Sequence, residues 1–492
     1  MVFSPSITWL PNNETELTLL VNYTKTESDT AAQFLPVTGT LKPAVNGKHI
    51  EHSTYAGEPD YNKYDAETFA VTLIAEHEIT DIWTVSLTSR YTDASADYQQ
   101  AWMSFGIPPD RFIYNPDGSL YNDGTVPRTF YRNDATSEQK ANDIRLRGEF
   151  DLGNWQHQLL IGTQYQDIKT DSAGYYAWAV GHPYSAAPQL GETTWLNMFN
   201  PSYGNIPDAV YAMLDSVYTE NPTTKNKDLG IYISDQINVD DWVVSLGLRY
   251  DETKSTTAGV SQKDNETSVS AGLMYKFDFG LNPYINYAES FDPVIGDNGN
   301  GQPLKPMRGE QVEVGVKYQM TTIPGMFTLA WFDIEQTNLP NPSSLPSNFE
   351  QQQGEANIQG VEFEMMLSIN DLTIELNASH LDTESADDFK LSSVPEKQLS
   401  TWFNYRPSGQ WQGFKSGIGF RYVGESYGGN DIIKTPSYSL ADLMLGYEMD
   451  HWDFAINVRN LANKTFYASC LSRGDCFPGE ERTIVARVKY VF

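Results

Sequence analysis

Few residues in this chain could do covalent or metal chemistry, and their spacing is poor for it. Two cysteines, Cys470 and Cys476, stand close together and otherwise alone. Such a pair suits a small disulfide loop in an oxidising compartment, with two unpaired thiols as the alternative. A zinc site would want more ligands nearby. The acidic clusters Glu58-Pro59-Asp60, Asp65-Ala66-Glu67 and Asp387-Asp388 lack the alternate spacing of a calcium loop and read as solvated loop charge. The histidines are scattered, with His49 and His52 the nearest pair. No G-x-S-x-G elbow and no phosphate-binding glycine loop stands out. The expectation is a protein with no catalytic residue and no metal site, which works by non-covalent binding.

The elements that would carry such binding are strands. The chain has 492 residues, a formal charge of −31 and 13% aromatic residues. A surplus of acid argues against nucleic acid, whose phosphates call for a basic face. Abundant Tyr and Trp suit a membrane–water boundary. No apolar run approaches the roughly 20 residues of a membrane helix.

The final stretch, ERTIVARVKYVF, sets the pattern. Ile484, Ala486, Val488, Tyr490 and Phe492 alternate with Thr483, Arg487 and Lys489, so one strand face is apolar and the other charged. The same alternation recurs in Trp242 to Tyr250, Val269 to Phe277, Val312 to Tyr318, Val361 to Leu367, Ile418 to Tyr422 and Trp452 to Val458. About nineteen amphipathic strands can be drawn this way. The second faces repeatedly carry Arg, Lys, Glu and Asp, which no soluble sandwich core could satisfy strand after strand. Short turns, as at Gly153–Asn154, Asp240–Asp241, Asn370–Asp371 and Asp450–His451, alternate with long polar connections near 25–64, 101–138, 173–224, 292–308, 337–354, 383–396 and 464–480. Short turns on one side and long loops on the other are the pattern of a transmembrane antiparallel β-barrel of the outer membrane. The first and last strands both run inward on this assignment, which gives an odd count. Single-chain bacterial barrels have even counts. At least one strand, with more N-terminal sequence, is therefore expected beyond this sequence.

Motifs in the C-terminal half resemble a known family. Tyr287-Ala288-Glu289-Ser290-Phe291, Gly309-Glu310-Gln311-Val312-Glu313-Val314-Gly315, Gly360-Val361-Glu362-Phe363-Glu364, Gly419-Phe420-Arg421-Tyr422 and Val458-Arg459-Asn460-Leu461 are similar, in order and spacing, to TonB-dependent siderophore receptors. The ending around Cys470, Cys476-Phe477 and Gly479-Glu480 resembles the ferrichrome, or hydroxamate, branch. The N-terminal half matches more loosely. Such receptors are plugged 22-stranded barrels. The resemblance thus implies an all-β chain, residues 1–492, holding about 19 of 22 strands, with the plug and first strands absent. A passive porin-like channel, a barrel lipase and a receptor for another ligand are the alternatives.

The resemblance implies an outer-membrane protein, monomeric and surrounded by lipid and lipopolysaccharide. It would work with the TonB complex in its full-length form. Its ligand would be a ferric siderophore, with iron carried as cargo and no cofactor. Aromatic residues high in the barrel would bind that ligand: Phe34, Trp102, Phe105, Tyr175, Tyr176, Trp178 and Phe477 by position. Cys470 and Cys476 would close a disulfide loop. Tyr490 and Phe492 resemble the C-terminal signal read by the outer-membrane assembly machinery.

Overall fold

The computed structural model describes residues 1–30, 34–294, 304–340 and 352–491. Phe492 and most of the two connections near 292–308 and 337–354 lie outside the described residues.

Among the described residues, alternation of apolar and polar side chains becomes one antiparallel sheet of 21 strands, of which Val2–Phe3 and Thr219–Glu220 are two-residue pieces. Sequence neighbours are sheet neighbours. Ser6–Asn12 pairs with Thr15–Ser28, followed by Lys63–Glu78, Trp83–Met103, Arg128–Leu152, Trp155–Ala177 and Thr224–Val239. The meander continues in order to Trp452–Arg459 and Thr483–Tyr490. Among the described residues no ladder joins Thr483–Tyr490 to Ser6–Asn12, and both strands are largely exposed.

One face of the wall is apolar and exposed, as lipid contact requires. Leu246, Leu248 and Tyr250 lie on it, as do Val312, Val314, Ile456 and Val488. The other face carries its own counter-ions. Arg421, for example, donates to both Asp442 carboxylate oxygens at 2.8 and 3.1 Å. The tight turns need left-handed backbone, and Gly153, Asp240, Asn370 and Asp450 supply it with φ of 67°, 49°, 51° and 50°. Next to these turns sits an aromatic girdle. Its ring pairs include Trp83–Phe150 at 6.0 Å, Trp242–Tyr275 at 4.7 Å and Trp452–Tyr490 at 4.7 Å. No helix among the described residues is long and apolar enough to cross a membrane.

The strands run further than alternation suggests. Trp83–Met103, Arg128–Leu152 and Trp155–Ala177 have 21, 25 and 23 residues. At about 3.3 Å per residue the longest reaches about 80 Å, against an apolar band of about 25 Å. Residues 128–138, expected to be loop, are therefore strand. Above the membrane both faces meet water, so the period-2 contrast that marks a strand fades, as in Thr136 to Lys140.

At the far end the long loops fold on one another. Residues from 35–56, 103–126 and 196–198 share a buried cluster that includes Leu35, Met103, Phe112, Val126 and Met198. A second cluster gathers Tyr61, Phe130, Val180 and the helix Asp208–Ser216 through Val210 and Leu214. Arg128 and Glu58 form a buried ion pair at 3.0 Å beside it. The hairpin Tyr467–Cys470 and Asp475–Pro478 adds Leu35–Pro36 as a third strand, with Asp475 opposite Pro36 and Cys476 opposite Leu35.

Candidate functional site

Strand parity decides which side chains meet at the outer rim. In Trp83–Met103 the residues Trp83, Val85, Leu87 and Tyr91 face lipid, so Thr84, Ser86, Thr88 and Arg90 face the lumen. No register shift interrupts the ladders of this strand, so Tyr98 and Trp102 also face the lumen. Tyr64 lies opposite Tyr98, and Tyr131, opposite Gln100 on one side and Tyr176 on the other, shares that face.

These rings form a continuous wall. Tyr64 meets Tyr98 at 6.2 Å and Tyr98 meets Tyr131 at 5.7 Å. Trp102 touches Tyr131 at 5.8 Å and Tyr176 at 6.0 Å. Phe34 extends the wall. It lies 6.3 Å from Trp102, stacks on Phe105 at 5.1 Å and meets Phe477 at 6.0 Å. The three-stranded mini-sheet explains the last contact: pairing Cys476 with Leu35 brings Phe477 beside Phe34. Cys470 and Cys476 form the disulfide that closes this hairpin.

Phe34, Trp102, Phe105, Tyr176 and Phe477 thus come together. Tyr175 does not join them. It follows the other parity and donates to, or accepts from, the Tyr61 hydroxyl at 2.9 Å in the second loop cluster. Burial pushes its phenol above the ordinary tyrosine range. Trp178 braces the wall from behind, its indole Nε1 donating to the Phe105 carbonyl at 2.8 Å. Tyr64, Tyr98 and Tyr131 are wall residues that the sequence reading missed. The signal for Tyr98 was available: it stands four residues before Trp102 on one strand, hence on one face.

The wall also carries polar groups. Among the described residues, Trp102 Nε1 and Arg111 Nη1 are buried without a hydrogen-bond partner. Arg111 lies over the Phe105 ring at 4.8 Å. It pairs with Asp475, which is fully buried, and its Nη2 donates to the Arg473 carbonyl at 3.0 Å. Burial lowers the Arg111 guanidinium and raises the Asp475 carboxyl from their ordinary values, the mutual attraction being the smaller effect in each. No cluster of His, Cys, Asp and Glu among the described residues could hold a metal. An exposed aromatic wall of this kind can hold a compact organic ligand by its ring faces.

An apolar band on long antiparallel strands, tight turns at one end and interlocked loops with an aromatic wall at the other define an outer-membrane β-barrel protein of the receptor class. The chain belongs to the TonB dependent receptor-like β-barrel family, whose model matches residues 6–461. The members are transport receptors of Gram-negative outer membranes and are not enzymes. The ferrioxamine B receptor of Salmonella typhimurium is 30% identical over 99% of this chain and 67% of its own length. The ferrichrome outer membrane transporter/phage receptor of Escherichia coli K12 is 28% identical with the same coverage. Among solved structures, the ferric-catecholate import receptor Fiu of E. coli K12 superposes with a TM-score of 0.82 at 20% identity, covering all of this chain and 74% of that one.

Proposed function

We propose that this chain is the barrel portion of an outer-membrane uptake receptor for ferric siderophores of the hydroxamate type. The lumen-facing aromatic wall of Phe34, Tyr98, Trp102, Phe105, Tyr131, Tyr176 and Phe477 carries the reading. A ferric hydroxamate already satisfies its iron, so it needs aromatic surface and a few donors rather than metal ligands. Relatives named for ferrioxamine B and ferrichrome support the ligand class.

On this reading residues 1–492 are part of a 22-stranded barrel. Its plug and first strands lie outside the sequence, and transport is energised by TonB in the full-length protein. That no ladder joins Ser6–Asn12 to Thr483–Tyr490 among the described residues supports it. The receptor acts as a monomer within lipid and lipopolysaccharide, and Tyr490 with Phe492 serves as the assembly signal.

The test is tryptophan fluorescence of the chain refolded in detergent, titrated with ferrichrome and ferrioxamine B. Saturable quenching, weakened by Trp102→Ala, is expected. Quenching by ferric catecholates alone would overturn the hydroxamate assignment, and no quenching by any complex would overturn the siderophore reading.

A further inference from the structure

One carboxylate at the outer rim serves two guanidiniums. Asp475 is 0% exposed and ion-pairs with both Arg111 and Arg473. Both guanidiniums also lie over the Phe105 ring, at 4.8 and 4.6 Å from its centre. Phe105 stacks on Phe34, so the trio adjoins the aromatic wall. Tyr176 of the wall lies within the field of both guanidiniums as well.

The trio is unbalanced. Two cations against one anion leave a net positive charge, in a chain whose formal charge is −31. Arg111 is 5% exposed, and its Nη1 is buried without a hydrogen-bond partner. A buried cationic donor left unpaired is costly. A structural latch between the second loop and the disulfide hairpin needs only Arg111 and Asp475. Arg473 adds a second cation, 53% exposed on its side chain, next to the ring that the wall presents. Arg473 is thus the guanidinium that an anion in the lumen can reach, with the buried Arg111 adding its charge from behind the Phe105 ring.

We propose that Arg111 and Arg473, held together by Asp475 above Phe105, form an anion-reading subsite at the edge of the aromatic wall, which selects siderophores bearing a carboxylate there over those bearing an amine. This deepens the siderophore reading and rests on it. Guanidinium and carboxylate form charge-assisted, often bidentate, hydrogen bonds. An ammonium in the same place would meet like charge. Half-exposed pairs are worth little singly, so the step between neighbouring charge states is about fivefold. It shrinks as salt rises.

The probe is one ferric trihydroxamate in three forms: its free terminal amine, the N-acetyl derivative and the N-succinyl derivative. These differ in charge at one end only. Tryptophan quenching is titrated with each, on the native chain, Arg473→Gln and Arg473→Glu, at low and high salt. Both variants keep the buried Arg111–Asp475 pair. The native chain should bind succinyl tightest and amine weakest. Arg473→Gln should compress that spread, and Arg473→Glu should reverse its order. Equal affinity for the three forms on the native chain overturns the subsite, as does an unchanged order in Arg473→Glu. Absence of quenching by all three overturns the siderophore reading, and the subsite with it.

Discussion

Truncating Tyr176 and truncating Tyr175 should have opposite consequences, although the residues are adjacent. Tyr176 faces the lumen and is 53% exposed, its inner edge resting on Trp102 and Tyr131. A tyrosine side chain offers roughly 200 Å², so about 100 Å² is left for a ligand to cover. At about 25 cal/mol per Å² this is an upper bound near 2.5 kcal/mol. About 2 kcal/mol, or roughly thirtyfold in Kd, is the expected loss on Tyr176→Ala. Little stability should go with it. Tyr175→Ala removes a half-buried ring and the Tyr61 hydrogen bond from the second loop cluster. That should cost about 2–3 kcal/mol locally, with ligand affinity changed less than threefold or so. Fluorescence titration with a ferric trihydroxamate reads the first effect. Amide exchange of the Asp208–Ser216 helix, which packs in the same cluster, reads the second. Equal losses of affinity in the two variants would refute the strand-parity argument on which the site is built.

Replacing both Cys470 and Cys476 by Ser should destabilise the hairpin by about 2 kcal/mol, because the closed loop is short. The amide of Val37, which donates to the Gly474 carbonyl at 3.0 Å, should then exchange faster, and unchanged exchange would count against a role for the disulfide in docking the first loop. Glu58→Gln leaves the Arg128 guanidinium buried without its counter-charge, a change worth about 3–5 kcal/mol; trypsin should cut the outer loops much faster while the girdle strands stay protected. Burial holds the His182 imidazole below its ordinary value of 6.5. The fold therefore favours the neutral ring, and this stabilisation is complete above about pH 6.5 and lost as pH falls through the lower folded value. Trp178, edge-on to His182 at 5.7 Å, should report the loosening by fluorescence between pH 7 and 5, and His182→Gln should flatten that profile.

Residues that obey a local rule made much of this fold legible. Asp240, Asn370 and Asp450 announce tight turns because left-handed backbone suits Asn and Asp, and the strands beside them alternate because lipid and lumen demand different side chains. Residues 128–138 gave no such signal, since water bathes both faces there. Resemblance and position, not pairing, mark Phe34 and Phe477 in the sequence; only the ladder between Leu35 and Cys476, a long-range contact, explains why they meet. Position at the mouth of a long loop marks Tyr175 and Tyr176 alike, yet alternation alone forbids adjacent strand residues from sharing a face. The Arg111–Asp475 pair was not legible, because neither residue stands in a pattern that points to the other.

The mini-sheet of Leu35–Pro36 with Asp475–Pro478 acts as a clasp, and His52 reinforces it by hydrogen-bonding the Phe466 carbonyl 414 residues away at 2.9 Å. It ties the loop that follows Thr15–Ser28 to the loop that precedes Thr483–Tyr490. The early and late parts of the meander are therefore held to one another at the rim, by contacts separate from the ladders of the wall.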